Sequence, residues 1–92
     1  MEEAESMDPQ KVILYPVMTE VTSRLIEAEN KLVFVASLNA GKEDIKRAVE
    51  ELYQVKVREV NLAVTRKGKK KAFVRLEPEY SAADVAIKLG IL

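Results

Sequence analysis

The residues best equipped for chemistry in this chain form a cluster of positive charge at one predicted turn. Five cations surround the single glycine Gly68: Arg66, Lys67, Lys69, Lys70 and Lys71. Cations this close repel one another, so the cluster costs free energy unless an anion neutralises it. The cluster predicts a site for phosphate or nucleic acid. The competing interpretation is a solvated turn whose lysines protect a sheet edge.

Two predicted strands flank this turn. Residues 60–64 and 72–76 each alternate apolar side chains with others, and a period of two is typical of strands that bury one face. The outward face of the second strand then carries Lys71, Phe73 and Arg75. An aromatic ring between cations suits RNA, because bases stack on the ring while the cations contact phosphates.

Catalytic chemistry has little support in the sequence. The chain has no histidine and no cysteine, so the usual general bases, thiol nucleophiles and zinc ligands are missing. Its three glycines are spread along the chain and form no phosphate-cradling motif. We therefore predict a protein that is not an enzyme and that uses no cofactor, metal or small-molecule substrate.

Length and composition predict one small globular domain. The chain has 92 residues, of which 48% are hydrophobic and 33% are charged. No apolar run reaches the roughly 20 residues of a membrane-spanning helix, and the start lacks a signal-peptide pattern, so we expect a cytoplasmic protein without membrane insertion. The formal net charge is zero, but residues 11–92 carry 15 cations against 11 anions. We predict a flexible acidic arm over residues 1–10 and a single domain over residues 11–92.

The rest of the sequence predicts the helices and strands that would position the cluster of cations. Residues 11–18 are expected to be extended. Thr19 is expected to cap a short helix that closes at Asn30 and whose core-facing stripe is Val21, Leu25 and Ala28, with Ile26 beside them. Residues 31–37 predict a central strand and residues 42–53 an amphipathic helix. Ser81 caps a last helix that ends at Gly90.

The order of these elements predicts the fold class. A change of parity between Val57 and Val60 predicts a β-bulge near Arg58 and Glu59. Tyr15 and Tyr53 are expected to pack with their hydroxyls at the rim rather than to stack on bases. The fold is predicted as α+β: a small, mostly antiparallel sheet of three or four strands with helices packed on one face, like a split βαβ unit.

Several sequence blocks together resemble a known family. PVMTE, NKLVF, KEDIKRAVEELYQVKV, EVN, GKKKAFVRL and ADVAIKLGI follow one another in this order. Over about residues 11–92 they resemble the universal large-subunit ribosomal protein family number twenty-three, in its archaeal and eukaryotic-like short-loop form. The resemblance implies a cytoplasmic ribosomal protein that binds large-subunit ribosomal RNA beside the exit of the nascent-chain tunnel. The segment 66–71 is too short to line the tunnel as the long bacterial hairpins do.

The resemblance also implies partners. They are large-subunit ribosomal RNA, neighbouring ribosomal proteins, the signal recognition particle, nascent-chain chaperones and the protein-conducting channel. The rival hypothesis is a non-ribosomal regulatory module of similar fold, which would use its open sheet face to bind a ligand or to dimerise.

The predicted sites follow from the residues and from this resemblance. Factor docking is assigned to Thr19 and Glu20, which match the family's Ser/Thr-Glu pair, although Val21 stands where the family usually has lysine. For Glu20, stabilisation of the helix dipole is an equal alternative. Asn61 matches the family's Val-Asn-Thr strand, and a strand-edge hydrogen bond is its alternative. The predicted ribosomal-RNA contacts are Lys11, Asn61, Arg66, Lys67, Lys69, Lys70, Lys71, Phe73 and Arg75.

Overall fold

The computed structural model describes residues 8–91 of the chain. Its helices and strands, in chain order, are α1 (Pro9–Val12), β1 (Ile13–Pro16), α2 (Glu20–Glu29), β2 (Lys31–Ala36), α3 (Lys42–Tyr53), β3 (Val57–Val64), β4 (Lys70–Leu76) and α4 (Ala82–Leu89). The predicted α+β class is confirmed. No helix in this part of the chain is long and apolar enough to cross a membrane.

The four strands form one antiparallel sheet in the order β1-β2-β4-β3. Strand β4 lies between β2 and β3, which α3 connects in sequence, so the sheet has the predicted split βαβ arrangement. Every residue of β2 after Lys31 is buried. This confirms the prediction of a central strand, and burial of side chains on both of its sides explains why the run shows no alternation.

The main core lies between the helices and one face of the sheet. Strand β4 contributes Ala72, Val74 and Leu76 to it, and all three are almost completely buried. Phe34 of β2 stacks on Tyr53 at the end of α3, with ring centroids 5.8 Å apart and planes inclined by 9°. Burial raises the pKa of Tyr53, because its ionised form loses solvation there.

Helix ends follow the predicted capping chemistry. The Thr19 hydroxyl accepts a hydrogen bond from the Thr22 N–H at 3.2 Å, and the Thr22 hydroxyl oxygen accepts one from the Thr19 N–H at 2.7 Å. Ser81 caps α4 by accepting from the Asp84 N–H at 3.2 Å. Gly90 ends that helix with a φ of 77°, in the left-handed region that favours glycine.

Asn30 does more than close α2, where its own φ is 56°. Its side-chain amide donates to the Tyr80 carbonyl at 2.8 Å, and its side-chain oxygen accepts from the Ala82 N–H at 2.7 Å. These bonds join the corner between α2 and β2 to the loop that leads into α4. Asn30 therefore satisfies backbone groups of a distant segment as well as ending a helix.

Two local predictions are wrong. Lys11 and Val12 are helical rather than extended, because Asp8 caps α1 by accepting from the Gln10 N–H at 3.0 Å and Pro9 suits the first helical position. Residues 8–10 thus belong to a capped helix, and the rest of the predicted arm, residues 1–7, lies outside the described residues. The division of the chain into an arm and one domain stays a prediction.

The second error concerns the buried stripe of α2. Thr22 and Ile26 face the core, whereas Val21 is 64% exposed and Ala28 is also exposed. Thr22 can be buried without penalty because its hydroxyl is bonded to the Thr19 backbone, both N–H and carbonyl. The buried face of α2 therefore differs from the face that apolarity alone predicts.

Candidate nucleic-acid interface

The sheet face opposite the main core is left open by the helices of residues 8–91, and we call it the open face. Side chains of three cross-strand rows form it: Lys31–Arg75–Glu59, Val33–Phe73–Asn61 and Tyr15–Val35–Lys71–Ala63. Val33 and Val35 are buried but do not join the main core. The face thus has an apolar centre, an aromatic ring at Phe73 and cations on the neighbouring positions. This arrangement confirms that Lys71, Phe73 and Arg75 share one face.

β-Bulges in both edge strands decide which side chains reach this face. In β3, Val57 pairs with Leu76 and Glu59 pairs with Arg75, so Arg58 is the extra residue. This is the bulge that the change of parity predicts. Because two residues of the bulged strand oppose one on its partner, the residues on either side of the bulge point to opposite faces despite their spacing of two.

The bulge in β1 was not predicted. Ile13 pairs with Ala36 of the core, whereas Tyr15 pairs with Val35 of the open face, and Leu14 lies between them. Sequence reasoning missed it because residues 12–15 are all apolar or aromatic, so no polar residue marks the change of face. As a result, Tyr15 is 44% exposed on the open face and belongs to the candidate interface.

Hydrogen bonds fix the turn between β3 and β4. The Thr65 N–H donates to the Lys69 carbonyl at 2.8 Å, and the Gly68 N–H donates to the Thr65 carbonyl at 3.0 Å. Gly68 has a φ of 80°, in the left-handed region that favours glycine in a tight turn. Arg66 and Lys67 occupy the exposed tip of this turn.

Three consecutive lysines have three different surroundings. The Lys69 ammonium donates to the Tyr15 hydroxyl at 3.0 Å and lies 5.7 Å from the centroid of its ring. The Lys70 ammonium donates to the backbone carbonyls of Leu38 at 3.0 Å and Ala40 at 2.8 Å. Lys71 pairs with Val35 on the open face. Lys70 thus holds the segment after β2, while Lys69 and Lys71 lie towards the open face.

The polar residues of β3 lie at the edge of the open face. The Asn61 amide donates to the Glu59 carboxylate at 3.3 Å, and Asn61 is exposed. Glu59 also pairs across the strands with Arg75, so this corner contains a negative charge beside a positive one. Lys31, which sequence reasoning did not select, completes the row and forms an ion pair with Glu29 at 3.1 Å. Only the order of the strands reveals its position.

Three predicted site residues lie apart from the open face. Lys11 is exposed on α1, which packs against α3. Thr19 and Glu20 lie at the start of α2, where the Thr19 side chain is used as a cap. The Glu20 carboxylate pairs with Arg24 at 2.8 Å, and both side chains are largely exposed, at 82% and 74%. A pair this exposed contributes little to stability, so Glu20 remains accessible to a partner.

Comparisons with known proteins agree with one another. Residues 11–88 match a family model described as Ribosomal protein L23. A large ribosomal subunit protein uL23 from Methanococcus aeolicus is 51% identical over 85 residues, and one from Methanococcus vannielii is 49% identical over 85 residues. Each alignment covers 92% of this chain and 99% of the relative.

Proposed function

The chain belongs to the ribosomal protein L23 family, and from this premise we propose that it is a structural constituent of the large ribosomal subunit in the cytoplasm. We propose further that it binds large-subunit ribosomal RNA near the exit of the polypeptide tunnel. The observation that carries the RNA proposal is the open face, where Lys71, Phe73 and Arg75 lie side by side next to a tip of further cations. No catalytic step is part of this function.

Phosphate contact is the main source of affinity in this proposal. Arg66, Lys67, Lys69 and Lys71 neutralise phosphates and release counterions, so affinity falls as salt is added. Such contacts fix the orientation of the protein without reading sequence. Phe73 and Asn61 contact the bases or sugars of irregular RNA, which presents unstacked bases. Lys11, which is exposed on α1 and does not lie on the open face, provides a separate phosphate contact.

Lys70 serves this site mainly by holding it in place. Its ammonium bonds the carbonyls of Leu38 and Ala40, which lie on the segment between β2 and α3. The start of β4 is thereby tied to that segment. A rigid tip loses less conformational entropy when it binds RNA than a free loop does.

A salt titration of RNA binding tests the proposal. We compare the chain with a Lys69→Ala/Lys71→Ala variant and with a Lys56→Ala/Lys88→Ala control, which removes the same charge from two residues outside the hairpin. On a large-subunit ribosomal RNA fragment, the first variant should reduce the slope of log K against log salt by about 1.4–1.8, at roughly 0.7–0.9 for each phosphate that the variant no longer neutralises. The control should leave the slope close to that of the unchanged chain.

Equal slopes for all three proteins would contradict the assignment of the hairpin as the anchor.

Ribosome membership is tested separately by sedimentation of a cell lysate at moderate and at high salt. Co-sedimentation of the chain with the large subunit at moderate salt is the expected result. A chain that stays at the top of both gradients would favour the rival module, and a salt-stable dimer in gel filtration would support that alternative further.

The start of α2 is the proposed docking site for factors that meet nascent chains. Glu20 is largely exposed, and Val21 beside it is 64% exposed. A carboxylate and an apolar side chain are therefore both accessible to a partner at this end of the helix. The proposed partners are the signal recognition particle, nascent-chain chaperones and the protein-conducting channel. Ribosomes that carry Glu20→Gln/Val21→Ser should retain less signal recognition particle in a pelleting assay than ribosomes that carry Ile87→Ser. Equal retention would remove this docking site from the proposal.

A further inference from the structure

A groove of about 600 Å³ lies beside the hairpin tip, where β1 and the end of β2 meet Gly68 and Lys69. Leu14, Tyr15 and Leu38 form its apolar walls, and they are 52%, 44% and 59% exposed. Its volume lies within the roughly 300–1,000 Å³ that is usual for small-ligand sites. Three large apolar side chains exposed around one concavity indicate an interaction site rather than scattered surface residues.

The walls of this groove are held in position by the backbone. The bulge at Leu14 turns Tyr15 towards the open face. On the other side, Leu38 follows β2, and its carbonyl accepts a hydrogen bond from Lys70. The concavity is therefore formed before a ligand arrives, which lowers the entropic cost of binding.

Charge identifies the kind of ligand. Lys69 and Lys70 line the groove, and none of the described residues that line it is Asp or Glu. The Tyr15 hydroxyl engages one of the three donor positions of the Lys69 ammonium, which leaves two for the oxygens of an anion. A ligand that fits must combine a flat apolar part with a negative charge close to it.

We propose that the groove binds one unpaired nucleotide of RNA, with the base against Tyr15 and Leu38 and a phosphate at Lys69. This inference rests on the proposed RNA-binding function and adds a specific site to it. Aromatic rings bind bases of any sequence by stacking, and proteins reach RNA bases mostly where these are unpaired. An apolar side chain of a neighbouring protein would match the walls but would leave the Lys69 charge without a counterpart.

The test uses two RNA duplexes that differ in one nucleotide. The first carries a single bulged 2-aminopurine, and the second carries the same base paired with uridine. The full chain should bind the bulged duplex more tightly and should change the 2-aminopurine fluorescence when it does so. Tyr15→Leu and Leu38→Ser should each reduce the preference for the bulged duplex about 10-fold, within the range measured for the loss of one stacked base.

The control variant is Ile87→Ser, which alters a side chain of α4 that is 60% exposed and does not line the groove. It should keep the full preference for the bulged duplex. All the variants should keep the slope of log K against log salt that the unchanged chain shows. Equal binding of the two duplexes by the unchanged chain would overturn the nucleotide site but leave the proposed RNA binding intact. A preference that survives both Tyr15→Leu and Leu38→Ser would also overturn it. Binding to neither duplex would contradict both proposals.

Discussion

Alternate residues of strand β4 lie on two different faces of the sheet, one packed in the main core and the other open. Ala72, Val74 and Leu76 point into the main core and are almost completely buried, whereas Lys71, Phe73 and Arg75 lie on the open face. Neighbours in sequence thus contribute to the core on one side and, in the proposed function, to RNA binding on the other. This separation arises because successive side chains of a strand point to opposite faces.

The comparison also shows how closely the interface depends on the core. The open face exists because β4 is held between β2 and β3 with its apolar face against the helices. Its cations are therefore placed by packing on the other side of the same strand. As long as the chain remains folded, a substitution on one face should leave the property of the other face largely unchanged, and this expectation can be measured at adjacent positions.

The largest effect is expected at Leu76. Leu76→Ala should lower the free energy of unfolding by about 2–5 kcal/mol, because it leaves a cavity at a side chain that is 2% exposed. The adjacent Arg75→Ala should cost less than about 1 kcal/mol, because it removes only the packing of an aliphatic stem and the attraction to Glu59 at the edge of the sheet. The same substitution should weaken RNA binding. Urea denaturation and RNA titration of both variants check this contrast. Similar decreases in stability at both positions would contradict the view that only the core face of β4 supports stability.

A smaller contrast is expected between Lys70 and Lys71. Lys70→Ala should cost about 1 kcal/mol of stability, because two backbone carbonyls lose a charged donor. Lys71→Ala should change stability by less than about 0.5 kcal/mol and should reduce the salt slope of RNA binding by about 1. Thermal unfolding and salt titration separate the two variants. The reverse result would mean that Lys70, rather than Lys71, is the phosphate contact.

The smallest effect is expected at Tyr53, on the covered side of the sheet, where stability should depend on pH. Burial raises the pKa of Tyr53 above its ordinary value of 10.0, so the folded chain releases this proton at a higher pH than the unfolded chain does. The associated stability is fully present below pH 10 and is lost as the pH rises through the folded pKa. Tyr53→Phe should flatten the fall of stability above pH 10. An unchanged alkaline profile in that variant would assign the fall to other groups.

Sequence reasoning found those features whose signal is local. The alternation in residues 72–76 marked the two faces of β4, and the parity conflict between Val57 and Val60 marked a bulge. Gly68 and Thr19 were recognised because a turn and a helix start need particular residue types. Asp8 and Pro9 carry an equally local capping signal for α1, and it was overlooked.

Other features depend on pairing between distant segments. Lys69, Lys70 and Lys71 are the same residue type in succession, and only their different partners along the chain separate their roles. Lys31 and Tyr15 joined the candidate interface through the strand order and an unpredicted bulge. On α2, the internal hydrogen bonds of Thr22 likewise allow a polar residue to be buried where apolarity alone does not predict it. No periodicity in the sequence contains this information.

The hydrogen bonds of Asn30 have a consequence for the timing of folding. Its side-chain partners, Tyr80 and Ala82, lie 50 and 52 residues further along the chain. The central strand β2 likewise needs β4 beside it. Because synthesis proceeds from the N-terminus, the first half of the molecule cannot complete its hydrogen bonding until nearly the whole chain has been made. We expect folding to be a late and largely concerted event, as contacts between distant segments require.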